Sequence, residues 1–349
     1  MTAISQKTGW KHDTIAAIFH IALPFFLFSA AVMAERAVPS PEDRPDTVVI
    51  IASKGDLFEE AKNGLVNDLE EEFRFFFIEA GNKKTVENIR NFFAENPSPR
   101  AVVLIGNKSI RYYREFINGY KKKTPAIQVI AIMALDIQHA AEGIPNVQGI
   151  PYETPMITAV VNFRRITNRP FSTVGVLYRK PFSDFVGENT EYCRREQISV
   201  RSVLIGDNVK HLEKEIADGL KFLLNREKVE VLWIPNDNIL LKPKLLVNAW
   251  LPLLNKRNVP AIVGVESLVK PELDFGTYAV IPEAKAIGEQ AADLLVDLKE
   301  NGWKHTGMKV YPAISMYSVL NLDKAAKTVD KKELRIDEVT KVLTRENGK

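Results

Sequence analysis

The sequence predicts an α/β protein built from two doubly wound parallel-sheet lobes. Short runs of β-branched and other apolar residues alternate with longer amphipathic segments, which is typical of parallel strands covered by helices on both faces. The alternation of predicted strands and helices begins again after Asn168-Arg169-Pro170, which indicates a second sheet. A chain of 349 residues also exceeds the length that one hydrophobic core usually supports. We therefore expect two lobes.

The first lobe is predicted from runs that are apolar at nearly every position. The expected strands are Thr47–Ala52, Phe73–Glu79, Ala101–Ile105 and Ile127–Ala131. Helices are expected between them wherever apolar residues recur at helical spacing. Two such segments are Phe58–Glu72 and Thr85–Ala94.

The second lobe repeats the pattern. Its expected strands are Thr173–Tyr178, Val200–Ile205, Val229–Ile234 and Ala261–Val265, and its expected helices are Ser183–Glu196, His211–Asn225 and Leu245–Lys256. A third stretch is too short for a domain and should complete the lobes already begun: strand Thr277–Ile281, helix Glu283–Glu300 and strand Met308–Pro312. The charged tail 323–349 has apolar residues near helical spacing, which predicts a surface helix.

The N-terminal 34 residues have the features of a secretory signal peptide. Lys7 and Lys11 precede the apolar run Ile15–Ala31, and small residues close it at Ala34. The run is short for a membrane span, although an uncleaved anchor is the alternative. Residues 35–45 are rich in proline and charge and predict an extended linker. The function is therefore expected outside the cytoplasm.

Composition excludes some classes of partner. The formal net charge is only +3, with basic and acidic side chains interspersed, so a nucleic-acid partner is not expected. Cys193 is the single cysteine, so the chain has no intrachain disulfide and its fold depends on its core.

Catalytic motifs are absent from the sequence. It contains no G-x-G-x-x-G, G-x-x-x-x-G-K-[ST], G-x-S-x-G or H-E-x-x-H. Beyond the signal peptide the histidines are His139, His211 and His305, which lack zinc-ligand spacing. We therefore expect no catalytic residues, no metal and no cofactor.

Polar side chains follow almost every predicted strand. In open parallel sheets ligands bind beyond the carboxyl ends of the strands, so these positions are the candidate binding residues. They are Ser53, Asn107, Asp136, Tyr152, Tyr178, Ser183, Asp237, Asn238 and Glu266.

Each residue type suggests a role. Asp237 can pair with a ligand ammonium, and Asn107 and Asn238 can supply directional hydrogen bonds. Ser53 and Ser183 lie where helix N-termini could receive a carboxylate.

Tyr152 and Tyr178 can stack on the body of a solute. The alternative for several of these polar positions, with Thr154, is simple helix capping, and for the tyrosines it is ordinary packing.

Several blocks resemble the substrate-binding proteins of ABC transporters, in the family that includes tryptophan and tyrosine binders. The blocks are Asn146–Pro155, Val174–Tyr178, Pro235–Asn238, Val259–Val269 and Ile287–Ala292. The resemblance implies a type I periplasmic-binding fold, with two lobes joined by a multi-strand hinge. It also implies discontinuous lobes: 46–145 plus 268–308 for the first, and 146–267 plus 309–322 for the second.

The sequence departs from the family pattern near the ligand region. Arg179 replaces the asparagine of the family's Tyr-Asn-Pro stretch, and Asp136 is the remnant of its Asp-Pro-Val turn. Residues 271–277 replace its Gly-Ala-Leu-Ala stretch.

These observations predict a monomeric periplasmic solute-binding protein of an ABC-type importer. It would capture a small polar or amphipathic ligand between its lobes by hinge closure and present it to an inner-membrane permease. One alternative is a periplasmic component that reports its ligand to a membrane sensor. A less supported one is a secreted enzyme.

Overall fold

The computed structural model describes residues 45–96, 98–119 and 127–345. The chain from Pro45 onward forms one compact unit. The predicted signal peptide 1–34, the linker apart from its last residue, and the last four residues of the tail lie outside the described residues.

The first lobe is built on a six-stranded parallel sheet. Its strand order is β11-β5-β4-β3-β1-β2. The strands are β1 (Asp46–Ser53), β2 (Phe73–Ala80), β3 (Ala101–Ile105), β4 (Gln128–Ala134), β5 (Val147–Pro151) and β11 (Met308–Val310). The helices of this lobe are α1 (Asp56–Val66), α2 (Lys84–Glu95), α3 (Asn107–Gly119), α4 (Ile137–Ala140) and α10 (Ala284–Glu300).

The second lobe is built on a seven-stranded sheet in the order β13-β12-β10-β9-β8-β6-β7. Its strands are β6 (Thr173–Arg179), β7 (Ser199–Ile205), β8 (Val231–Ile234), β9 (Ala261–Val263), β10 (Tyr278–Pro282), β12 (Met316–Asn321) and β13 (Lys341–Leu343). Strand β12 runs antiparallel to β10, and the other pairs are parallel.

The helices of the second lobe include two π-helical turns. The helices are α5 (Met156–Thr167), α6 (Ser183–Arg195), α7 (Leu212–Lys221), α8 (Pro243–Leu245), α9 (Leu251–Arg257) and α11 (Leu322–Ala325). The π-helical turn Phe222–Arg226 continues α7, and Leu246–Trp250 joins α8 to α9.

Helices cover both faces of each sheet, which explains the continuous apolar strands. Successive strand side chains point to opposite faces. In β1, Val48 and Ile50 pack with α1 and α10, whereas Val49 and Ile51 pack with α2 and α3. All four side chains are therefore fully buried, and the sequence shows no polar alternation.

Helices α1 and α10 cross at two glycines. A Cβ placed on Gly64 would lie 2.2 Å from the Lys285 carbonyl oxygen, and one on Gly288 would lie 2.0 Å from the Ala61 carbonyl oxygen. Both distances are far inside van der Waals contact. The two helices approach this closely only because neither glycine has a side chain.

Three chain crossings connect the lobes. They run from β5 to α5, from β10 to α10 and from β11 to β12. Hydrogen bonds anchor the crossings. The Thr154 hydroxyl, on the first crossing, donates to the Val280 carbonyl oxygen of β10 at 2.8 Å. The Glu283 N–H, on the second crossing, donates to the Ser315 carbonyl oxygen on the third at 3.1 Å. The expected multi-strand hinge is present.

The lobe boundaries differ from those implied by the resemblance. Strand β5 belongs to the first sheet, although residues from 146 were assigned to the second lobe. Strand β10 belongs to the second sheet, although 268–308 was assigned to the first. The reason is pairing: β10 forms a ladder with β9 and β12, and the chain crosses to the first lobe only at α10.

The predicted tail helix is wrong. Residues 323–345 form the end of α11, two short 3-10 turns and β13. Leu334 and Val339 are buried, whereas Ile336 between them is exposed. Strand β13 pairs with the free edge of β12, and these ladder hydrogen bonds replace the helical ones.

Within the described residues, no helix combines the length and apolarity that crossing a membrane requires.

Candidate functional site

Two cavities lie between the lobes, at the carboxyl ends of the strands. The larger has a volume of about 590 Å³ and is lined by both lobes. We call it the acidic cavity. Its titratable first-lobe lining comes from Asp136, His139, Glu142 and Glu153, and its second-lobe lining includes Asp184, Phe185 and Glu188. A smaller cavity of about 280 Å³ adjoins it at Asp136 and His139.

A bulge at the end of β4 shapes the first-lobe wall. The register between β4 and β5 shifts between Ile132 and Ala134, and Met133 adopts φ 57°. Asp136 also has a left-handed conformation, with φ 48°. Such positions are sparsely populated by residues other than glycine and often accompany binding sites.

Asn107 holds this turn in place. Its side-chain amide donates to the Leu135 carbonyl oxygen at 2.8 Å and its carbonyl accepts from the Leu135 N–H at 2.9 Å. Both functional groups of the amide are therefore occupied. Asn107 acts as a positioning residue for the turn that carries Asp136, a different role from the expected hydrogen bond to ligand.

Glu153 is the most buried acid of the acidic cavity, with an exposure of 7%. Its Oε2 accepts a hydrogen bond of 2.7 Å from the Asp136 N–H. Its Oε1 is buried and has no hydrogen-bond partner. Burial raises the pKa of this carboxyl to about 7; the Asp136 N–H lowers the pKa and the Asp136 charge raises it.

Helix α6 supplies the second-lobe wall. It follows a 3-10 turn, Lys180–Phe182, directly after β6. Asp184 and Glu188 both line the cavity, as their spacing of four residues on a helix allows. Between them, the Phe185 ring packs on Trp233 at 5.7 Å between centroids and supplies an apolar surface to the cavity.

An ion pair dominates the smaller cavity. Arg179 Nε lies 2.7 Å from Asp237 Oδ2, and its Nη2 lies 3.0 Å from Oδ1. Asp237 Oδ1 also accepts from the N–H groups of Ile239 and Leu240. Arg179 reaches a second carboxylate, that of Asp207, at 3.2 Å. Asp237 is thus already paired with Arg179, and its contact with a ligand ammonium stays a prediction.

Four of the nine predicted residues reach the cavities. Asn107, Asp136, Asp237 and Asn238 line the smaller one, and Asp136 also lines the acidic one.

The other five lie outside both linings. Ser53 is buried with its Oγ 3.4 Å from that of Ser109, and Ser183 begins α6. Tyr152 packs against both lobe cores, and Tyr178 packs within the second lobe. Glu266 pairs with Lys341 and accepts from the Tyr317 hydroxyl.

Sequence reasoning missed the residues that define the acidic cavity. Glu153, Asp184 and Glu188 were not among the predicted residues, and neither was Arg179. A signal existed: Glu153 follows a strand end, and Asp184 and Glu188 lie in the first turns of a helix that follows another. Among the described residues, no group of three histidine, cysteine or acidic side chains is arranged to hold a metal ion.

Solved structures share this fold over most of the chain. A ligand-free, open substrate-binding protein with adhesive properties from Clostridium difficile has a TM-score of 0.61 and 17% identity, covering 86% of this chain and 100% of that one. An ABC domain in complex with L-Trp from Streptococcus pneumonia has a TM-score of 0.54 and 16% identity, with 86% and 100% covered. A conserved domain protein from Vibrio cholerae has a TM-score of 0.53 and 15% identity, with 85% and 99% covered.

At these identities the likeness establishes the fold. No protein-family model and no curated protein matches the sequence. The chain has the two-lobed α/β architecture of the substrate-binding proteins, the type I periplasmic-binding fold, as its sequence predicted.

Proposed function

We propose that this protein is a periplasmic solute-binding protein that closes its two lobes on a small molecule. The observation that carries the proposal is the acidic cavity itself, because strand ends and helix α6 from different lobes line one space. A volume of about 590 Å³ lies within the range of small-molecule sites.

The three crossings support closure by bending. The lobes have separate cores on separate sheets, so each can move as a rigid body while only the crossing residues change conformation. The proposed partner is the permease of an ABC importer in the inner membrane. The proposed role is capture without catalysis, in keeping with a sequence that contains none of the four catalytic or phosphate-binding motifs named above.

A solute screen on the full chain tests capture. Amines, amino acids, sugars and organic acids are added in a thermal-shift assay. A bound solute at a hundredfold excess over Kd stabilises the folded protein by about 2.7 kcal/mol. Stabilisation by at least one solute is expected, and a flat response across all classes contradicts capture.

Closure is tested by energy transfer between dyes on the two lobes. Lys108→Cys and Lys242→Cys place labels at exposed positions, one at the start of α3 in the first lobe and one just before α8 in the second. The native Cys193 is buried, and burial raises the pKa of its thiol to about 11, so dyes react with the introduced cysteines. The transfer efficiency should rise when the stabilising solute binds. An unchanged efficiency would mean capture without closure.

A further inference from the structure

The acidic cavity carries charge of one sign on both walls. Asp136, Glu142 and Glu153 face it from the first lobe, and Asp184 and Glu188 face it from the second. Among the described residues that line it there is no lysine or arginine, and His139 is the only other titratable side chain. An anion placed here would meet repulsion from both lobes.

Glu153 provides a second and independent observation. This side chain is 7% exposed and lines the cavity, yet its buried Oε1 has no hydrogen-bond partner. Buried polar atoms are nearly always satisfied, and an unsatisfied one costs stability. A protonated amine would supply both the missing donor and a compensating charge, whereas a quaternary ammonium would supply the compensating charge alone.

The remaining walls suit an organic cation. Ile137, Pro151, Pro181 and Val310 are apolar, and Phe185 offers an aromatic ring on which an ammonium group can rest. The described acids are not arranged to hold a metal ion. The cationic side chain of the adjoining cavity, Arg179, is already engaged by Asp237 and Asp207, so it is poorly placed to take a ligand carboxylate.

We infer that the acidic cavity binds a small organic cation, an amine or a quaternary ammonium with an aliphatic body, whose charged group contacts Glu153. The inference rests on the proposed function and specifies its class of solute. It also explains how binding would favour closure. Bringing Asp184 and Glu188 toward Asp136 and Glu153 is opposed by Coulomb repulsion, and a cation between them removes that opposition.

The test is calorimetric titration of the full chain with putrescine, spermidine, agmatine and choline at about pH 8. At least one cation should bind, and Glu153→Gln should weaken that binding by roughly tenfold or more, because the variant removes a buried charge but keeps the shape. Asp184→Asn should also weaken cation binding, because it removes a negative charge from the opposite wall of the cavity. Glu191→Gln is the matched control: Glu191 lies on the same helix but pairs with Arg194 in solvent, so affinity should not change.

Choline also tests the charge of the site, since its own charge is independent of pH. The titratable groups that line the cavity with Glu153 are Asp136, His139, Glu142, Asp184 and Glu188. Choline affinity should fall between about pH 8 and pH 5.5 as Glu153 takes up a proton. The fall should persist with His139→Gln, which removes the imidazole, and shrink with Glu153→Gln.

The outcomes separate this inference from the function on which it rests. If ribose, succinate or tryptophan stabilises the protein while all four cations fail, the cation inference is wrong and solute capture stands. Cation binding of equal strength in wild type and Glu153→Gln also overturns it. If no solute of any class binds, both proposals fail.

Discussion

The guanidinium of Arg179 forms a bidentate ion pair with the carboxylate of Asp237, with N···O distances of 2.7 and 3.0 Å. Asp237 is 2% exposed, and the Arg179 side chain is 13% exposed. The pair joins the ends of β6 and β8, so it holds the second-lobe floor of the smaller cavity. It also links Asp237, which was among the predicted site residues, to Arg179, which was not.

Asp237→Ala should therefore act mainly on stability. It leaves the Arg179 charge in the interior with only Asp207 as partner, and it removes the acceptor of two backbone N–H groups. We expect a loss of about 3 kcal/mol in the free energy of unfolding, measured by urea denaturation. Asp207→Ala, at an exposed position, should cost less than about 1 kcal/mol. A stable Asp237→Ala protein with impaired solute binding would instead favour the direct ligand contact.

Glu153→Gln should stabilise the solute-free protein at alkaline pH. Its folded pKa of about 7 lies above the ordinary value of 4.5, so the proton binds more tightly in the folded state. This contribution to stability is complete below about pH 4.5 and is lost as the pH rises through 7. At about pH 8 the variant should exceed wild type by about 3 kcal/mol in unfolding free energy.

The advantage of the glutamine variant should disappear near pH 4.5, where Glu153 of the wild type is protonated. Urea denaturation at the two pH values measures both differences on the same proteins. A variant that is less stable than wild type at pH 8 would mean that the ionised carboxylate is well solvated, contrary to its burial.

Gly288→Ala should destabilise the first lobe. The new methyl group would lie 2.0 Å from the Ala61 carbonyl oxygen, so α1 and α10 must move apart. We expect a cost of about 2 kcal/mol, larger than the gain in helix propensity of about 1 kcal/mol. Gly187→Ala on α6 is the control, because no atom lies within 4 Å of its Cβ position. Thermal denaturation should show opposite shifts in Tm for the two variants.

Thr154→Val should weaken the hinge. The Thr154 hydroxyl, on the first crossing, donates to the Val280 carbonyl oxygen of β10, and valine keeps the shape but not the donor. A cost of about 1 kcal/mol in unfolding free energy is expected. Thr154→Ser retains the hydroxyl donor, so its unfolding free energy should fall less than that of Thr154→Val. Equal losses in the two variants would show that packing of the methyl group matters more than the bond.

Much of the fold is predictable because both sheets are buried on both faces. The continuous apolar runs at β1 and β3 identify strands without ambiguity. The lobe assignment of β10 is not predictable from such runs, because it depends on pairing with β12, which follows later in the chain. The tail shows the same limit: its apolar spacing suits a helix, and only the free edge of β12 makes it a strand.

The position of the cavities was predictable in part, but the hydrogen-bond partners of the lining residues were not. The rule that ligands bind at strand ends identified Asp136 and Asn107, and both line the smaller cavity. The sequence does not reveal that the Asn107 amide is occupied by Leu135 or that Asp237 is paired with Arg179. Glu153 was missed because an acid after a strand looks the same in sequence whether it is solvated or buried.

The crossings have a consequence for how the chain folds during synthesis. Residues of α10 cover one face of the first sheet, against Val48, Ile50 and α1, yet they lie near the other end of the chain. That face stays open until the ribosome has made nearly the whole polypeptide. Early folding of an N-terminal unit, common in multidomain proteins, is therefore disfavoured. The nascent chain therefore stays incompletely folded for longer than the nascent chain of a protein with two contiguous domains. We expect both lobes to complete their folding late and together.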